Sequence, residues 1–416
     1  MSFQQGLSGL AAAAKNLDII GNNVANSNTA GFKQGVAAFG DVFAATAGGG
    51  SGTEVGIGTQ ISAVNQQFGQ GNITVTSNPL DVAINGKGFF RLTKNEKQID
   101  PITGAVSNTG VVSYSRAGEF QLDKNGFIVN GKAQNLTGFQ AINGGIVPGV
   151  LVNLQLSSTD SLPAPSTTAA VGANLASTDP VAPSAAFDPT KPTSYNFSTS
   201  STAFDSLGQA HTMTYYFNKT VSNSWDVNVY LDGAAANGAG LTQLTFSNAG
   251  AYLSASNLVK TAALANGAAP LSIALDFSKM TQYGSGFGVN TINSDGYASG
   301  QLSGYNIGPD GIIVGRYSNG QAQTLGQIAL VNFTNPQGLT PLGGSGWAES
   351  STSGTPLTGA PSTAGLGALQ SAAKEDSNVD LTAELVNMIT AQRVYQANAQ
   401  SIKTQDQVLQ TLVNLK

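Results

Sequence analysis

Few side chains in this sequence are of the types that carry out catalysis or bind metal ions. The 416 residues include one histidine, His211, and no cysteine, which removes thiolate chemistry and paired imidazole ligands together. His211 stands at the start of a predicted strand, and we interpret it as a structural residue with satisfied hydrogen bonds. Asp205, Asp226 and Asp276 are candidates for the pair of carboxylates that a glycosidase uses, but the sequence does not show that any two of them lie within the required ~5 to 10 Å of each other.

One glycine-rich stretch invites comparison with a phosphate-binding loop. Residues 284–288 read Gly-Ser-Gly-Phe-Gly, a spacing that matches neither the dinucleotide nor the nucleoside-triphosphate motif. The 18 basic and 23 acidic residues give a net charge of -5, which offers no basis for binding the phosphates of a nucleic acid. We therefore predict that the protein is not an enzyme, holds no cofactor or metal ion, and binds no nucleic acid.

Two long helices are predicted at the two ends of the chain. Apolar residues recur there at alternating spacings of four and three, which is the heptad pattern of a coiled coil. Asp380 is the predicted N-cap of the second helix. At 1.5 Å per residue the helices are expected to be ~33 and ~54 Å long. The predicted seam residues are Phe3, Leu7, Leu10, Leu17 and Val24 in the first helix, and Leu381, Leu385, Met388, Tyr395, Ile402, Leu409 and Val413 in the second.

These stripes are predicted to pack against other copies of the same chain. The N-terminal stripe is narrow, so burying it offsets only part of the entropy lost on ordering the segment, and a lone pair of terminal helices is expected to be marginally stable in water. Residues 1–53 also carry only four charges, on Lys15, Asp18, Lys33 and Asp41, so copies can lie side by side with few ions to desolvate. The alternative is a pair of terminal helices that packs on its own domain.

The chain between the helices is predicted to be all β. Residues 119–129 read as a hairpin, with Asn125-Gly126 supplying the positive φ of the turn. Residues 305–314 repeat that pattern, and residues 204–229 show a tight turn followed by alternating strands.

Composition divides the chain into nested domains. Glycine-rich stretches at 48–52 and 343–346 flank the β region, and six prolines between 163 and 192 indicate the entry to a separate domain. We predict a multi-domain α+β fold, in which the terminal helices form a coiled-coil layer and two mainly-β domains follow a discontinuous chain order. The predicted limits are 1–30 and 372–416 for the helical domain, 31–77 with part of 343–371 for an extended linker, 78–150 and 289–342 for a split β domain, and 151–288 for an inserted outer β domain.

The segment that follows the first helix is dense in asparagine. Residues 21–33 read Gly-Asn-Asn-Val-Ala-Asn-Ser-Asn-Thr-Ala-Gly-Phe-Lys, which by itself indicates a helix-terminating loop with Asx-turns. Together with Ser377–Leu381, Glu384–Ile389, Gln392-Arg393 and Thr404–Asp406, this segment resembles the axial proteins of the bacterial flagellum, the family of rod, hook and hook-associated proteins. The resemblance adds Asn26, Thr29, Gly31, Phe32 and Lys33 to the residues predicted to serve assembly.

This resemblance implies a structural subunit rather than a catalyst. Length favours the hook branch of the family, whose subunits form a curved tube that joins the basal-body rod to the filament as a flexible universal joint. The implied partners are further copies in a helical homopolymer, the distal rod protein, the hook cap, the hook–filament junction proteins and the flagellar type III export apparatus. The implied location is the extracellular hook and basal body. Residues 1–10 lack the basic start of a secretory signal, so we expect export without a cleavable signal peptide and no membrane insertion.

Other classes of protein share parts of this pattern. A distal rod or hook-associated axial protein has similar chain ends and is the first alternative. A secreted β-rich adhesin or carbohydrate-binding module suits the many Gly residues and the 10% of charged residues, but leaves the terminal helices unexplained. A polysaccharide hydrolase requires convergent carboxylates that the sequence does not reveal.

Overall fold

The computed structural model describes residues 3–42, 56–99, 106–142, 144–156, 160–182, 187–238 and 241–414. The glycine-rich boundary predicted at 48–52 lies outside these residues. The chain forms two compact units. The terminal unit comprises Met1–Ser157, Gly304–Gly315 and Ala322–Lys416, and the inserted unit comprises Ser158–Ser303 and Arg316–Gln321.

Both predicted terminal helices are present. Helix α1 spans Phe3–Ala25 and helix α2 spans Leu381–Asn414. Asp380 caps α2 as predicted, because its Oδ1 accepts the N–H groups of Thr382 at 2.9 Å and Ala383 at 3.1 Å. Among the described residues, neither of these helices has the length and apolar character needed to cross a bilayer.

Outside the helices, the described residues form thirty strands. The first ten lie in the terminal unit: β1 (Gly35–Val42), β2 (Gly58–Gln66), β3 (Ile73–Val75), β4 (Val82–Asn85), β5 (Phe89–Ile99), β6 (Val106–Ser115), β7 (Phe120–Leu122), β8 (Ile128–Asn130), β9 (Asn135–Ile142) and β10 (Gly145–Asn153). The next eleven lie in the inserted unit: β11 (Thr168–Asn174), β12 (Phe197–Phe204), β13 (Ala210–Val221), β14 (Ser224–Leu231), β15 (Ala234–Ala235), β16 (Asn237–Gly238), β17 (Thr242–Phe246), β18 (Tyr252–Ala255), β19 (Val259–Ala262), β20 (Leu271–Asp276) and β21 (Gly288–Ser294). The last nine are β22 (Leu302–Ile307), β23 (Ile312–Tyr317), β24 (Ala322–Ile328), β25 (Leu330–Asn332), β26 (Thr340–Pro341), β27 (Gly346–Ala348), β28 (Leu357–Gly359), β29 (Ala368–Ser371) and β30 (Ala373–Glu375).

The two predicted hairpins have the turns that the sequence indicates. Strands β7 and β8 pair in antiparallel register, and Gly126 in their turn has a φ of 81°. Strands β22 and β23 are neighbours in the sheet, and Gly311 between them has a φ of 79°. The prediction of an extended linker over residues 31–77 differs from what is observed. Strands β1 and β2 form an antiparallel hairpin there, because β-branched and aromatic residues recur on both sides of the glycine-rich stretch.

The terminal unit is built around one large sheet with two apolar clusters. Its central path runs β22-β23-β24-β9-β5-β6-β27-β26. Phe90, Leu136 and Leu330 belong to one fully buried cluster. Phe89 and Trp347 belong to the other, with their rings 5.7 Å apart in an edge-to-face arrangement.

The inserted unit contains a five-stranded and a six-stranded sheet whose side chains share one core. Trp225, Val227 and Val229 alternate into this core from β14, as the period-two pattern predicts. Strand β21, which the predicted limits assign to the split domain, pairs with β11 of the inserted unit. The domain limits drawn from composition otherwise stay predictions.

Candidate functional site

The two helices pack together through small residues. A Cβ on Gly6 would lie 3.0 Å from Ile402 Cγ1, and a Cβ on Gly9 would lie 2.9 Å from Asn398 Oδ1. Ala13 of α1 and Ala391 of α2 are also buried. Small side chains let the two backbones approach closely, so the helix pair within one copy uses a seam of glycine, alanine and asparagine.

The predicted apolar stripes lie mostly on a different face. Leu7 is 52% exposed, Leu385 is 45% exposed and Val413 is 74% exposed. Seven of the twelve predicted seam residues are therefore exposed in one copy, whereas Ile402 packs against Gly6 and does not face outward. The predicted seam residues that are exposed are Phe3, Leu7, Leu381, Leu385, Tyr395, Leu409 and Val413, and those that are half-buried are Leu10, Leu17, Val24, Met388 and Ile402.

A groove lies between the small-residue seam of the two helices and the β1–β2 hairpin. It has a volume of about 610 Å³ and is lined by residues of α1, α2 and β1, among them Ile19, Phe39 and Val394. Val36 and Val64 of the hairpin are exposed as well. The heptad pattern gave no indication of the hairpin's part in this surface, because the hairpin lies in the region predicted to be a linker.

The asparagine-rich segment after α1 closes on itself through its side chains. Asn26 Nδ2 donates to the Asn22 carbonyl at 3.0 Å, and Thr29 Oγ1 donates to Asn26 Oδ1 at 3.2 Å. Asn23, which is buried, donates to the Gly35 carbonyl at 2.8 Å and accepts the Gly35 N–H at 2.9 Å. These bonds end α1 and turn the chain into β1, as Asx-turn chemistry predicts.

Gly31 lies where this segment meets the β sheet. Its φ is +67°, and a Cβ there would lie 2.3 Å from the Ala117 nitrogen. The Gly31 N–H donates to the Glu375 carbonyl at 2.8 Å, which ties the segment to β30. Only glycine combines this backbone conformation with this close approach.

Lys33 is part of a buried ionic cluster. Lys33 Nζ lies 2.5 Å from Glu375 Oε1, and both side chains are fully buried. Arg116 NH1 lies 3.0 Å from Glu375 Oε2. Burial lowers the pKa of Lys33, and the attraction of Glu375 opposes this. Burial also lowers the pKa of Arg116, again against the attraction of Glu375.

Backbone groups complete this cluster. Glu375 Oε1 also accepts the Gly71 N–H at 2.9 Å. Lys33 Nζ donates to the Gly69 carbonyl at 2.8 Å, and Arg116 NH2 donates to the Gly86 carbonyl at 2.6 Å. Carbonyl dipoles therefore balance the excess of one positive charge over the single carboxylate. Phe32, beside this cluster, lines a separate cavity of about 590 Å³.

A second set of bonds joins the start of α2 to the same segment. Asn378 Oδ1 accepts the Gln34 N–H at 2.8 Å, and Glu384 Oε1 accepts Gln34 Nε2 at 2.7 Å. Asn378 Nδ2 also donates to the Gln67 carbonyl at 2.7 Å. The two terminal motifs, more than 340 residues apart in sequence, thus meet at one place.

Sequence reasoning missed Arg116 and Glu375 altogether. No local pattern in the sequence points to either residue, because their partner Lys33 is separated from them by 83 and 342 residues. Gly31 and Lys33, predicted to serve assembly, are buried within one copy.

The histidine of the inserted unit is hydrogen-bonded, as interpreted from the sequence. His211 Nδ1 lies 2.6 Å from Asp232 Oδ2, and His211 Nε2 lies 3.3 Å from Asp205 Oδ2. Burial lowers the pKa of His211, but the hydrogen bonds and charges of the two aspartates outweigh burial and raise it. Burial of Asp205 is likewise outweighed by bonds from Gln209, Asn266 and His211, which lower the pKa of Asp205 to about 2.

The other acids considered for chemistry have structural partners. Asp226 stands opposite Asn218 and Gln243 on neighbouring strands, and burial raises its pKa. Asp276 Oδ1 accepts the Ser278 N–H at 2.9 Å. Within the part of the chain that the structure describes, no three His, Cys, Asp or Glu side chains are grouped to hold a metal ion. The glycine-rich residues 284–288 lead into a strand, not a helix.

Three protein families match separate parts of the chain. The family described as "Flagella basal body rod protein" matches residues 3–33. "Flagellar basal body rod FlgEFG protein C-terminal" matches residues 370–415, and "Flagellar basal body protein FlaE D2 domain" matches residues 174–297. The first two coincide with the helices and motifs of the two chain ends, and the third lies in the inserted unit.

Whole-chain similarity separates the hook branch from the rod branch. The chain is 43% identical over 427 residues to "Flagellar hook protein FlgE" of Escherichia coli (strain K12), with 100% of both chains covered. This chain belongs to the flagellar hook protein family. The hook protein of Salmonella typhimurium is 42% identical over 426 residues, with 100% of both chains covered. That of Rhizobium meliloti (strain 1021) is 33% identical over 430 residues, which cover 100% of this chain and 98% of that protein.

A solved hook protein has a similar fold. The crystal structure of Helicobacter pylori flagellar hook protein FlgE2 aligns with 71% of this chain and 99% of its own, at a TM-score of 0.51 and 15% identity. The multi-domain α+β architecture expected from the sequence is thus confirmed for a member of the flagellar hook family.

Proposed function

We propose that this protein is the structural subunit of the flagellar hook, the curved tube that transmits torque from the basal-body rod to the filament as a flexible joint. The observation that carries the proposal is a full-length match to hook proteins in a chain whose terminal helices leave their large apolar residues exposed. No catalysis is proposed, and no cofactor is needed for this role.

Polymer growth follows from the arrangement of apolar surfaces on the terminal unit. The exposed stripe of α1 and α2 lies on a different face from the small-residue seam, and the groove beside β1 is also apolar. A stripe that fills the groove of the next copy makes a head-to-tail contact. Such contacts generate a helical polymer when the rotation does not close into a ring.

The same proposal includes the partners and the location. The tube begins on the distal rod protein, grows under a hook cap and ends at the hook–filament junction proteins. The subunit reaches this extracellular position through the flagellar type III export apparatus without a cleavable signal peptide.

Electron microscopy of the purified protein tests the proposal. We expect curved tubes with a central channel at high protein concentration, and a deletion strain that makes neither hooks nor attached filaments and does not swim. An adhesin or a carbohydrate-binding module predicts dispersed particles and a motile deletion strain. That result would contradict the proposal.

A further inference from the structure

We propose that Glu375 is a positioning residue for assembly, which fixes the direction in which the α1–α2 pair leaves the β sheet of the terminal unit. This inference rests on the proposed function for its consequence in the polymer. The claim that Glu375 fixes the position of the helices within one copy is argued from the contacts of the described residues alone.

Glu375 joins three separate parts of the chain at one carboxylate. Lys33 comes from the segment that leaves α1, Arg116 follows β6 of the large sheet, and Gly71 precedes β3. Glu375 itself ends β30, six residues before α2 begins at Leu381. Both helices therefore connect to the β sheet through this side chain.

All the partners of the carboxylate are hydrogen-bond donors. Oε1 accepts from Lys33 Nζ and from the Gly71 N–H, and Oε2 accepts from Arg116 NH1. Glutamate is the one side chain of this length that carries a negative charge and accepts hydrogen bonds at both of its terminal oxygens. A glutamine would have to point its NH₂ group at one of these donors, although its shape is the same.

Burial holds the Lys33–Glu375–Arg116 cluster, the joint between the helix pair and the sheet, in a single arrangement. The Lys33 and Glu375 side chains are fully buried, and Arg116 is nearly so. Separating the charges would leave an ion without water or a partner, which strongly disfavours alternative positions of the helix pair. Gly31 fixes the backbone beside the cluster in the same place, through its bond to the Glu375 carbonyl.

A neighbouring residue on the same strand provides the matched control. Lys374 pairs with Glu119 at 3.5 Å, and both side chains are partly exposed. An exposed pair of this kind contributes little, since water screens it. Glu375→Gln and Lys374→Gln therefore each change one charge on one strand, in a buried and an exposed setting.

Distance measurement between spin labels tests the joint in the monomer. The chain has no cysteine, so Gln121→Cys on β7 and Gln396→Cys on α2 give two exposed labelling positions in the terminal unit. We expect a narrow distance distribution in the parent and in Lys374→Gln, and one at least twofold broader in Glu375→Gln. A width unchanged by Glu375→Gln would overturn the inference, whether or not the protein forms tubes.

Electron microscopy of polymers then tests the consequence. We expect parent and Lys374→Gln tubes to share one helical geometry, and Glu375→Gln to form tubes of altered curvature or to need a several-fold higher concentration. Identical tubes at the same concentration would overturn the assembly role. If the parent forms no tubes at all, the proposed function fails. The label distances still test whether Glu375 fixes the helix pair in the monomer.

A second variant covers the case in which Glu375→Gln does not fold. Lys33→Met removes one arm of the cluster and leaves the Arg116–Glu375 pair electrically neutral. In a Trp225→Phe background, Trp347 is the remaining tryptophan, and its fluorescence reports the fold of the terminal unit in each variant. We expect Lys33→Met to broaden the label distances while Trp347 stays buried, and unchanged distances in this folded variant would contradict the proposal.

Discussion

At the scale of single residues, the terminal motifs are anchors within one copy. Gly31, Lys33 and Glu375 are buried where the N-terminal segment meets the last strand before α2. The resemblance predicted that Gly31 and Lys33 serve assembly, and this stays a prediction. Their burial could not be predicted, because a motif names residue types, while burial depends on long-range partners such as Arg116, which no local pattern reveals.

Gly31→Ala tests the tightest of these anchors. The new Cβ must accept a positive φ and lie close to the Ala117 nitrogen, so we expect the free energy of unfolding of the terminal unit to fall by about 2–5 kcal/mol. Gly365→Ala is the control, because Gly365 has a φ of +77° with nothing within 4 Å of an added Cβ. Thermal unfolding should show a loss of only about 1–2 kcal/mol for the control. Equal losses would mean that the contact with Ala117 is unimportant.

We expect His211 to make the stability of the inserted unit depend on pH. Its pKa in the folded protein is raised, so its contribution to stability is complete below the unfolded value of about 6.5 and is lost as pH rises through the folded pKa. The lowered pKa values of Asp205 and Asp232 preserve their contributions until much lower pH. We expect the melting temperature of the inserted unit to fall as pH rises above about 6.5, and His211→Asn to flatten that slope. If the melting temperature falls equally with pH in the parent and in the variant, His211 is not the group responsible.

At the scale of elements, the two helices have two apolar faces with different uses. The heptad spacing of large residues predicted the exposed stripe, and the structure has both helices where that spacing places them. The seam within one copy escaped prediction because Gly6, Gly9 and Ala13 are small, and small residues carry little hydrophobic signal. The β1–β2 hairpin was missed for a related reason, since its partners are separated by the glycine-rich stretch.

Leu385→Asp tests the exposed stripe. Leu385 is outside the seam within one copy, so the monomer should keep its fold, with a change in the free energy of unfolding within about 0.5 kcal/mol. Polymer growth should stop, because a packed contact between copies would bury an unpaired charge. The control is Ala397→Asp, which adds an equal charge at an exposed position that the 3.6-residue turn of α2 places away from both Leu385 and the seam, and which should polymerise normally. Sedimentation and electron microscopy compare the two, and normal tubes from Leu385→Asp would contradict the stripe assignment.

At the scale of the whole molecule, the two units have separate hydrophobic cores. Phe90 and Leu330 belong to the core of the terminal unit, while Trp225 and Leu244 belong to that of the inserted unit. The nested chain order follows from composition, but the exit from the inserted unit does not, because strand β21 is too polar to reveal which sheet it joins. Its sheet is decided by pairing with β11, more than a hundred residues earlier in the chain.

Calorimetry of single-core variants tests this independence. We expect two unfolding transitions, of which Leu244→Ala lowers only one, by about 2–5 kcal/mol, because Leu244 is fully buried in the inserted unit. Gly31→Ala should lower only the other. A single transition that moves with both substitutions would show that the units unfold together.

The division of the chain has a mechanical consequence. Because the inserted unit consists of Ser158–Ser303 and Arg316–Gln321, the backbone passes between the two units four times. The core of the inserted unit comes from Ser158–Ser303 alone, which is continuous with the terminal unit at both ends, so a pull on it is shared between two covalent tethers, where a domain appended at a chain end would hang from one. In a chain without disulfides, these two connections are the covalent route by which a load on the inserted unit reaches the terminal unit.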